Sequence, residues 1–386
     1  MPLPLSPALA LCPLRDIFRT FFVDPSFHRR GSFRVMEGCT RVLNNGTKMD
    51  HWCLAVAVVG ISFALTYWLR RYALHKSLLD IPNGRSSHTV PTPRGGGVAI
   101  VISYLAALVL LFAQGALSGS LFLAFLGSGV IIAALGFLDD HGHVAARWRL
   151  LGHFFSAVWA LVWLGGLPPV VIFGAALDLG WVGHVLAAVY LVWLLNLYNF
   201  MDGIDGIASV EAVCVCIGAA VIYALSGFVD LIWLPLLLAA AVLGFLVWNF
   251  PPAKIFMGDA GSGFLGIILG LLSLQAASIS SQLLWAWLIL LGVFIVDATV
   301  TLIRRLVRGD KVYEAHRSHA YQFASRKYGK HLPVTSAVGV INLFWLLPVA
   351  ICVTQFGLDG AIGVIVAYIP LAVLALKFNA GELERN

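Results

Sequence analysis

Eleven apolar segments run along this chain, and nearly every polar cluster with chemical potential falls in the gaps after the first, third, fifth, seventh and ninth of them. The segments lie at 52–69, 98–113, 121–138, 151–167, 185–197, 207–223, 231–250, 264–279, 283–301, 334–353 and 361–376. Each approaches or matches the roughly 17–25 residues a helix needs to cross a bilayer. The odd gaps then share one side, and they hold residues 80–88, 139–141, 199–206, 256–262 and 316–322. Hydrophobic residues make up 60% of the chain and charged ones only 11%, which excludes an ordinary soluble domain. The expectation is an all-α polytopic integral membrane protein with about 11 transmembrane helices and one polar face.

The net charge of +6 would suit a nucleic-acid binder, but its distribution points to a membrane instead. Of 25 basic residues, 18 fall in the odd gaps and the C-terminal tail, and none in the even gaps. This is the positive-inside pattern, so the odd gaps and C-terminus are expected in the cytoplasm and the N-terminus outside. The other seven lie within 1–48, where the rule predicts few. That stretch has no sustained periodicity and no apolar core of signal-peptide length. It reads either as an upstream extension from a misassigned start or as a disordered tail, leaving 49–386 as a single membrane-embedded domain. The six cysteines show no CxxC pair and read as small hydrophobes. Residues 168–182 place strand formers around a turn and predict a small surface hairpin.

Acidic residues at the ends of membrane helices are costly and point to function. Here Asp139 and Asp140 end the third segment, Asp202 and Asp205 follow the fifth, and Asp259 follows the seventh. Any one of them could be a solvated helix cap; five on one side could not. Hard carboxylate oxygens with few thiols favour Mg²⁺, or Mn²⁺, over zinc, and Mg²⁺ is usually shared between carboxylates and substrate phosphates. Gly258, Gly261 and Gly263 surround Asp259 just ahead of an apolar segment, a loop that lets backbone N–H groups approach phosphate oxygens. Basic residues at helix ends are expected in any membrane protein. Arg85, His88, Arg317 and His319 fit that account less well, because they sit inside loops with Asn83, glycines and Tyr321. Only Glu211 and Asp297 fall within apolar segments.

The motifs Asn199-x-x-Asp202-Gly-Ile-Asp205-Gly, Phe256-Met-Gly-Asp259-x-Gly-Ser262, Asp139-Asp140 and Asp80-x-Pro-Asn83-x-Arg85-x-x-His88 resemble those of the polyprenyl-phosphate N-acetylhexosamine-1-phosphate transferases. That family includes the phospho-MurNAc-pentapeptide translocase and the enzymes that start O-antigen. The resemblance spans 52–376. The last loop, His316-Arg-Ser-His319-Ala-Tyr-Gln322, looks most like the O-antigen branch, with Tyr321 and Gln322 where the translocase carries histidines. The resemblance implies a bacterial inner-membrane enzyme that moves a sugar 1-phosphate from a UDP-N-acetylhexosamine to undecaprenyl phosphate, releasing UMP. It further implies that Asp259 ligates Mg²⁺, and that Asp139 and Asp140 position and deprotonate the lipid phosphate. Asn199, Asp202 and Asp205 would hold the nucleotide with Phe256 near the uracil, and Arg317 and His319 would contact the diphosphate or sugar. Asn83, Arg85, His88 and Asn249 complete the substrate-binding set. The sugar is not readable, and a homodimer stays open.

Two rivals make different demands. An intramembrane prenyltransferase would show two similar Asp-rich repeats, whereas these acidic motifs differ from one another. An ion-coupled transporter would place its acids near mid-membrane along a path.

Overall fold

The computed structural model describes residues 50–82, 90–142, 144–310 and 317–383. Residues 1–49, and with them the reading of the N-terminal extension, lie outside the described residues, as do Asn83, Arg85 and His88.

The described chain is helical almost throughout. In order come α1 (His51–His75), the short strands β1 (Leu79–Asp80) and β2 (Thr92–Pro93), α2 (Val98–Ala113), α3 (Gly119–Gly142) and α4 (Ala146–Leu164). A second strand pair, β3 (Val170–Ile172) and β4 (Ala175–Leu177), precedes α5 (Gly180–Met201), α6 (Ile207–Leu225), α7 (Trp233–Asn249) and α8 (Asp259–Ile279). The remainder is α9 (Ser281–Leu290), α10 (Gly292–Arg308), α11 (Ala320–Tyr328), α12 (Leu332–Ile341), α13 (Leu347–Gln355) and α14 (Gly360–Lys377).

Helix ends follow local chemistry. The side chains of Asp50, Ser280 and Asp359 accept from the first backbone N–H groups of α1, α9 and α14, satisfying donors that have no partner within the helix. The expected hairpin is present: β3 and β4 pair antiparallel, with Ile172 opposite Ala175. Its two turn residues, Phe173 and Gly174, both have positive φ, the conformation that matches the twist of a two-residue hairpin.

Among the described residues, eight helices are long and apolar enough to cross a membrane, rather than the eleven expected, and a bent pair would make nine. The pair is α9 and α10, which meet at 69° where one continuous segment was expected over 283–301. Ten residues of α9 rise only about 15 Å, half a bilayer core. Helix α2 has 16 residues and falls short by itself, and α4 opens with Arg147 and Arg149, which dilute its apolar character.

Helix α8 is the hub. Every residue from Ala260 to Ala277 is buried, because α3, α5 and α2 approach it over glycines. A Cβ on Gly136 of α3 would lie 2.6 Å from the backbone of Asp259 and Ala260, and one on Gly266 would lie 2.6 Å from Leu195 Cα of α5. Gly97, at the start of α2, would meet Gly261 Cα at 2.5 Å. Small residues are how helices pack closely where lipid supplies no hydrophobic drive between them. Polar ties add to this: Tyr190 of α5 lies 2.8 Å from Ser273 of α8, hydroxyl to hydroxyl.

Gly97→Ala should therefore lower the melting temperature of the purified protein, since the opposing atom is backbone and overpacking costs about 1–3 kcal/mol. Gly60→Ala, mid-α1 with nothing within 4 Å of the added methyl, should be neutral or stabilising. Equal effects from the two would contradict this packing.

Candidate active site

The N-terminus of α8 is where the acidic motifs meet. Asp140, in the last turn of α3, accepts hydrogen bonds from the backbone N–H of Asp259 at 3.0 Å and of Ala260 at 3.2 Å. The next two N–H groups, of Gly261 and Ser262, go to Gly258 O. All four leading donors of the helix are thus occupied, and the anion on its positive end is the protein's own carboxylate. This corrects the reading of the glycine loop as a phosphate nest. Gly258 instead makes room: its φ of 80° suits glycine, and a Cβ there would sit 2.8 Å from the Asp140 carboxylate.

Arg94 completes the cluster. Its Nη2 lies 2.6 Å from Asp259 Oδ1 and 3.0 Å from Asp140 Oδ1. Asp139 lies against the Asp259 carboxyl as well, and it accepts from Val144 N–H at 2.7 Å and pairs with Arg149 at 2.5 Å. Asn199 donates to Ser262 Oγ at 2.9 Å and lies against the Asp259 carboxylate. Asp202, just past the end of α5, makes no side-chain hydrogen bond to the described residues. Desolvation pushes its carboxyl well above the usual aspartate range; Arg94 opposes that only in part, while Asp259, Asp140 and Asp205 reinforce it. The structure therefore brings together Asp139, Asp140, Asn199, Asp202 and Asp259, and adds two residues outside the expected set, Arg94 and Arg149. In the sequence Arg94 stands in the first polar loop with Asn83, Arg85 and His88, a loop whose arginines could hold phosphate oxygens, while Arg149 reads only as one of the basic residues of the second odd gap.

The other expected residues stand around this centre. Asp205 accepts from Ala253 N–H at 3.0 Å and pairs with His331 at 3.1 Å. It lines a cavity of about 460 Å³ together with Thr92, Phe256, Lys330 and His331. Asn249 is buried behind that cavity: its Oδ1 accepts from Gly206 N–H and Ser209, and its Nδ2 donates to Ile255 O. It holds the two motif loops together. His319 caps α11 in a reciprocal box with Gln322 and lies 3.4 Å from Asp297. Asp297 accepts from Ala320 and Tyr321 N–H at 2.9 and 3.0 Å, and the Tyr321 hydroxyl reaches Phe200 O at 2.9 Å. Arg317 offers its carbonyl to Arg326. The sequence signal for Asp297 was its place inside an apolar segment, where a lone acid needs a partner.

Asp139, Asp140 and Asp259 face two guanidinium groups with the desolvated Asp202 beside them, so the acids outnumber the bases. That balance and the hard oxygen donors fit a divalent cation. Among the described residues no group of three or more acids, histidines or cysteines is placed to hold a metal ion.

Comparison with known proteins agrees with this chemistry. The profile of glycosyl transferase family 4 matches residues 122–277. The chain is 33% identical over 263 residues to a probable undecaprenyl-phosphate N-acetylglucosaminyl 1-phosphate transferase of Bacillus subtilis, covering 67% of this chain and 72% of that one. It is 30% identical over 287 residues to the undecaprenyl-phosphate alpha-N-acetylglucosaminyl 1-phosphate transferase of Thermotoga maritima, covering 74% and 86%. It is also 32% identical over 209 residues to the phospho-N-acetylmuramoyl-pentapeptide-transferase of Moorella thermoacetica, covering 50% and 64%. The chain belongs to the glycosyl transferase family 4 of polyprenyl-phosphate hexosamine-1-phosphate transferases, and it is a membrane-embedded glycosyl-1-phosphate transferase.

Proposed function

We propose that this enzyme transfers an N-acetylhexosamine 1-phosphate from a UDP-sugar to undecaprenyl phosphate. UMP would be released, and the lipid-diphosphate-linked sugar formed would start O-antigen or a related cell-envelope polysaccharide. The observation that carries the reading is the seating of Asp140 on the backbone of Asp259, which makes one site from two acidic motifs. In the reaction a lipid-phosphate oxygen bonds to the phosphorus attached to the sugar, and the bond from that phosphorus to the UMP oxygen breaks. Such a transfer needs charge neutralisation and alignment more than covalent chemistry.

Asp259, partly exposed and next to Asp202, is the residue assigned to Mg²⁺. When bound, the ion would neutralise diphosphate charge. Asp140 receives three donors, two of them backbone N–H groups of α8, so its carboxylate is committed to holding that helix. This supports direct displacement by the lipid phosphate, which is mostly ionised near neutral pH. Asp140 then acts by fixing the helix that carries Asp259, with Asp139 and Arg149 beside the acceptor. Asp205 and Phe256 line the nucleoside cavity, with Asn249 behind them; Asn83, Arg85, His88, Arg317 and His319 complete the donor side.

The clustering of residues from all five odd gaps also supports eleven crossings in a bacterial inner membrane, with α2, α4 and the bent α9–α10 pair each counting as one. The N-terminus would be outside and the site cytoplasmic.

The decisive assay offers purified protein a panel of UDP-N-acetylhexosamines, UDP-GlcNAc first, with undecaprenyl phosphate, and follows UMP. Asp259→Asn should retain less than about a tenth of activity, equivalent to more than ~1.4 kcal/mol in the barrier, while melting near wild type. Asp140→Asn should lose activity and melting temperature together. UMP release from no donor in the panel would sink the assignment.

Asp202 gives a signed pH effect. A carboxyl whose folded pKa is raised favours the folded state at low pH, and that contribution is lost as pH rises through the folded value. Without divalent cation, Asp202→Asn should melt above wild type at pH 7, with the gap narrowing towards pH 5 and on adding Mg²⁺. A variant less stable than wild type at pH 7 would contradict the charge balance.

Orientation is tested by single cysteines in a cysteine-free background. In intact cells an impermeant reagent should label Phe173→Cys, on the exposed hairpin turn, and spare Lys327→Cys, on the exposed face of α11. The reverse pattern would invert the topology.

A further inference from the structure

We infer that Arg94 is a ligand of the donor's diphosphate, a role that rests on the UDP-sugar reading above. Every polar contact of its side chain among the described residues runs through one nitrogen: Nη2 spans Asp140 and Asp259. Nη1 and Nε have no hydrogen-bond partner among the described residues, and the side chain is 41% exposed. Arginine presents its donors in a rigid planar fork, and one edge can be held by carboxylates while the other receives an oxyanion.

The backbone beneath it is fixed as well. β2, which ends at Pro93, pairs with β1, Pro93 O accepts from Phe256 N–H at 2.8 Å, and Gly96 and Gly97 donate to Phe256 O and Met257 O at 2.9 and 2.8 Å. A guanidinium anchored at both ends surrenders little freedom when a ligand arrives.

Its position fits the same ligand. Thr92, two residues earlier, lines the cavity shared by Asp205 and Phe256, while the guanidinium reaches the acids on α3 and α8. Arg94 thus stands two residues from the cavity wall with its guanidinium at the acids, the span that a diphosphate joining a nucleoside in that cavity to a sugar at the acids would occupy. Its charge matters doubly there, because the surrounding carboxylates would otherwise repel the incoming anion.

The test is calorimetric titration of purified wild type, Arg94→Met and Arg94→Lys with UDP and, separately, with uridine, in one Mg²⁺-containing buffer. Arg94→Met should lose UDP affinity by on the order of 10- to 100-fold, the range for a hydrogen bond to a charged group, with uridine affinity unchanged. Arg94→Lys should recover part of the loss, since an ammonium keeps the charge but has no second edge. In turnover the donor KM should rise while the acceptor KM holds. UDP affinity within about twofold of wild type in Arg94→Met would overturn the assignment. So would an equal loss for uridine, which would mean that Arg94 only supports the cavity. Wild-type protein that binds neither ligand would sink the UDP-donor reading itself.

Discussion

The site depends on one contact, the Asp140 carboxylate on the first N–H groups of α8. A helix N-terminus carries unsatisfied donors and a partial positive charge, and here α3 supplies the anion that answers both. The contact requires two glycines, one so that α3 can approach and one so that the loop has room for the carboxylate. Once made, it sets the direction of Asp259, of Ser262 and through it Asn199, and of the Arg94 guanidinium. Moving α3 would shift the acids as a group.

The same device recurs at α11, where Asp297 of α10 accepts from Ala320 and Tyr321. Because α9 and α10 meet at 69°, α10 takes a direction of its own and carries Asp297 to this second helix start. Tyr321 in turn reaches Phe200 at the end of α5. The last loop is therefore joined to the Asn199–Asp205 motif through the Tyr321 hydroxyl, which donates to a backbone carbonyl of that motif. The loops that carry Arg94, Asp140, Asn199, Asp259 and Tyr321 are thus tied to one another by hydrogen bonds.

The sequence was most legible where composition alone decides. Helix α2 falls on 98–113 as expected, and α6 begins at Ile207, because apolar runs bounded by polar residues leave few alternatives. The bend before Gly292 left no trace, since Leu290, Leu291 and Gly292 continue an apolar run without any polar break. Among site residues, Asp139, Asp140, Asn199, Asp202 and Asp259 stood out because carboxylates and amides at membrane helix ends are costly unless used. Arg149 did not stand out, since arginine beside a membrane helix is the default, and Arg94 was legible only as one basic residue of a polar loop, with nothing to show that it spans two acids. Asn249 and His319 also stood out as polar residues inside motifs, but the sequence held no sign of the hydrogen bonds that tie them to the chain itself.

The Asp140 clasp also has a history within each molecule. Its partner lies 119 residues further along the chain, which at about 5–20 residues per second is roughly 6 to 24 s of synthesis. Asp139 waits far less, because Arg149 is ten residues away. During that interval Asp140 ends a newly inserted helix without the backbone donors that will hold it, and Arg94, made earlier, is the cation at hand. The arginine assigned above to the donor diphosphate would then first pair with an acid that α8 has yet to reach.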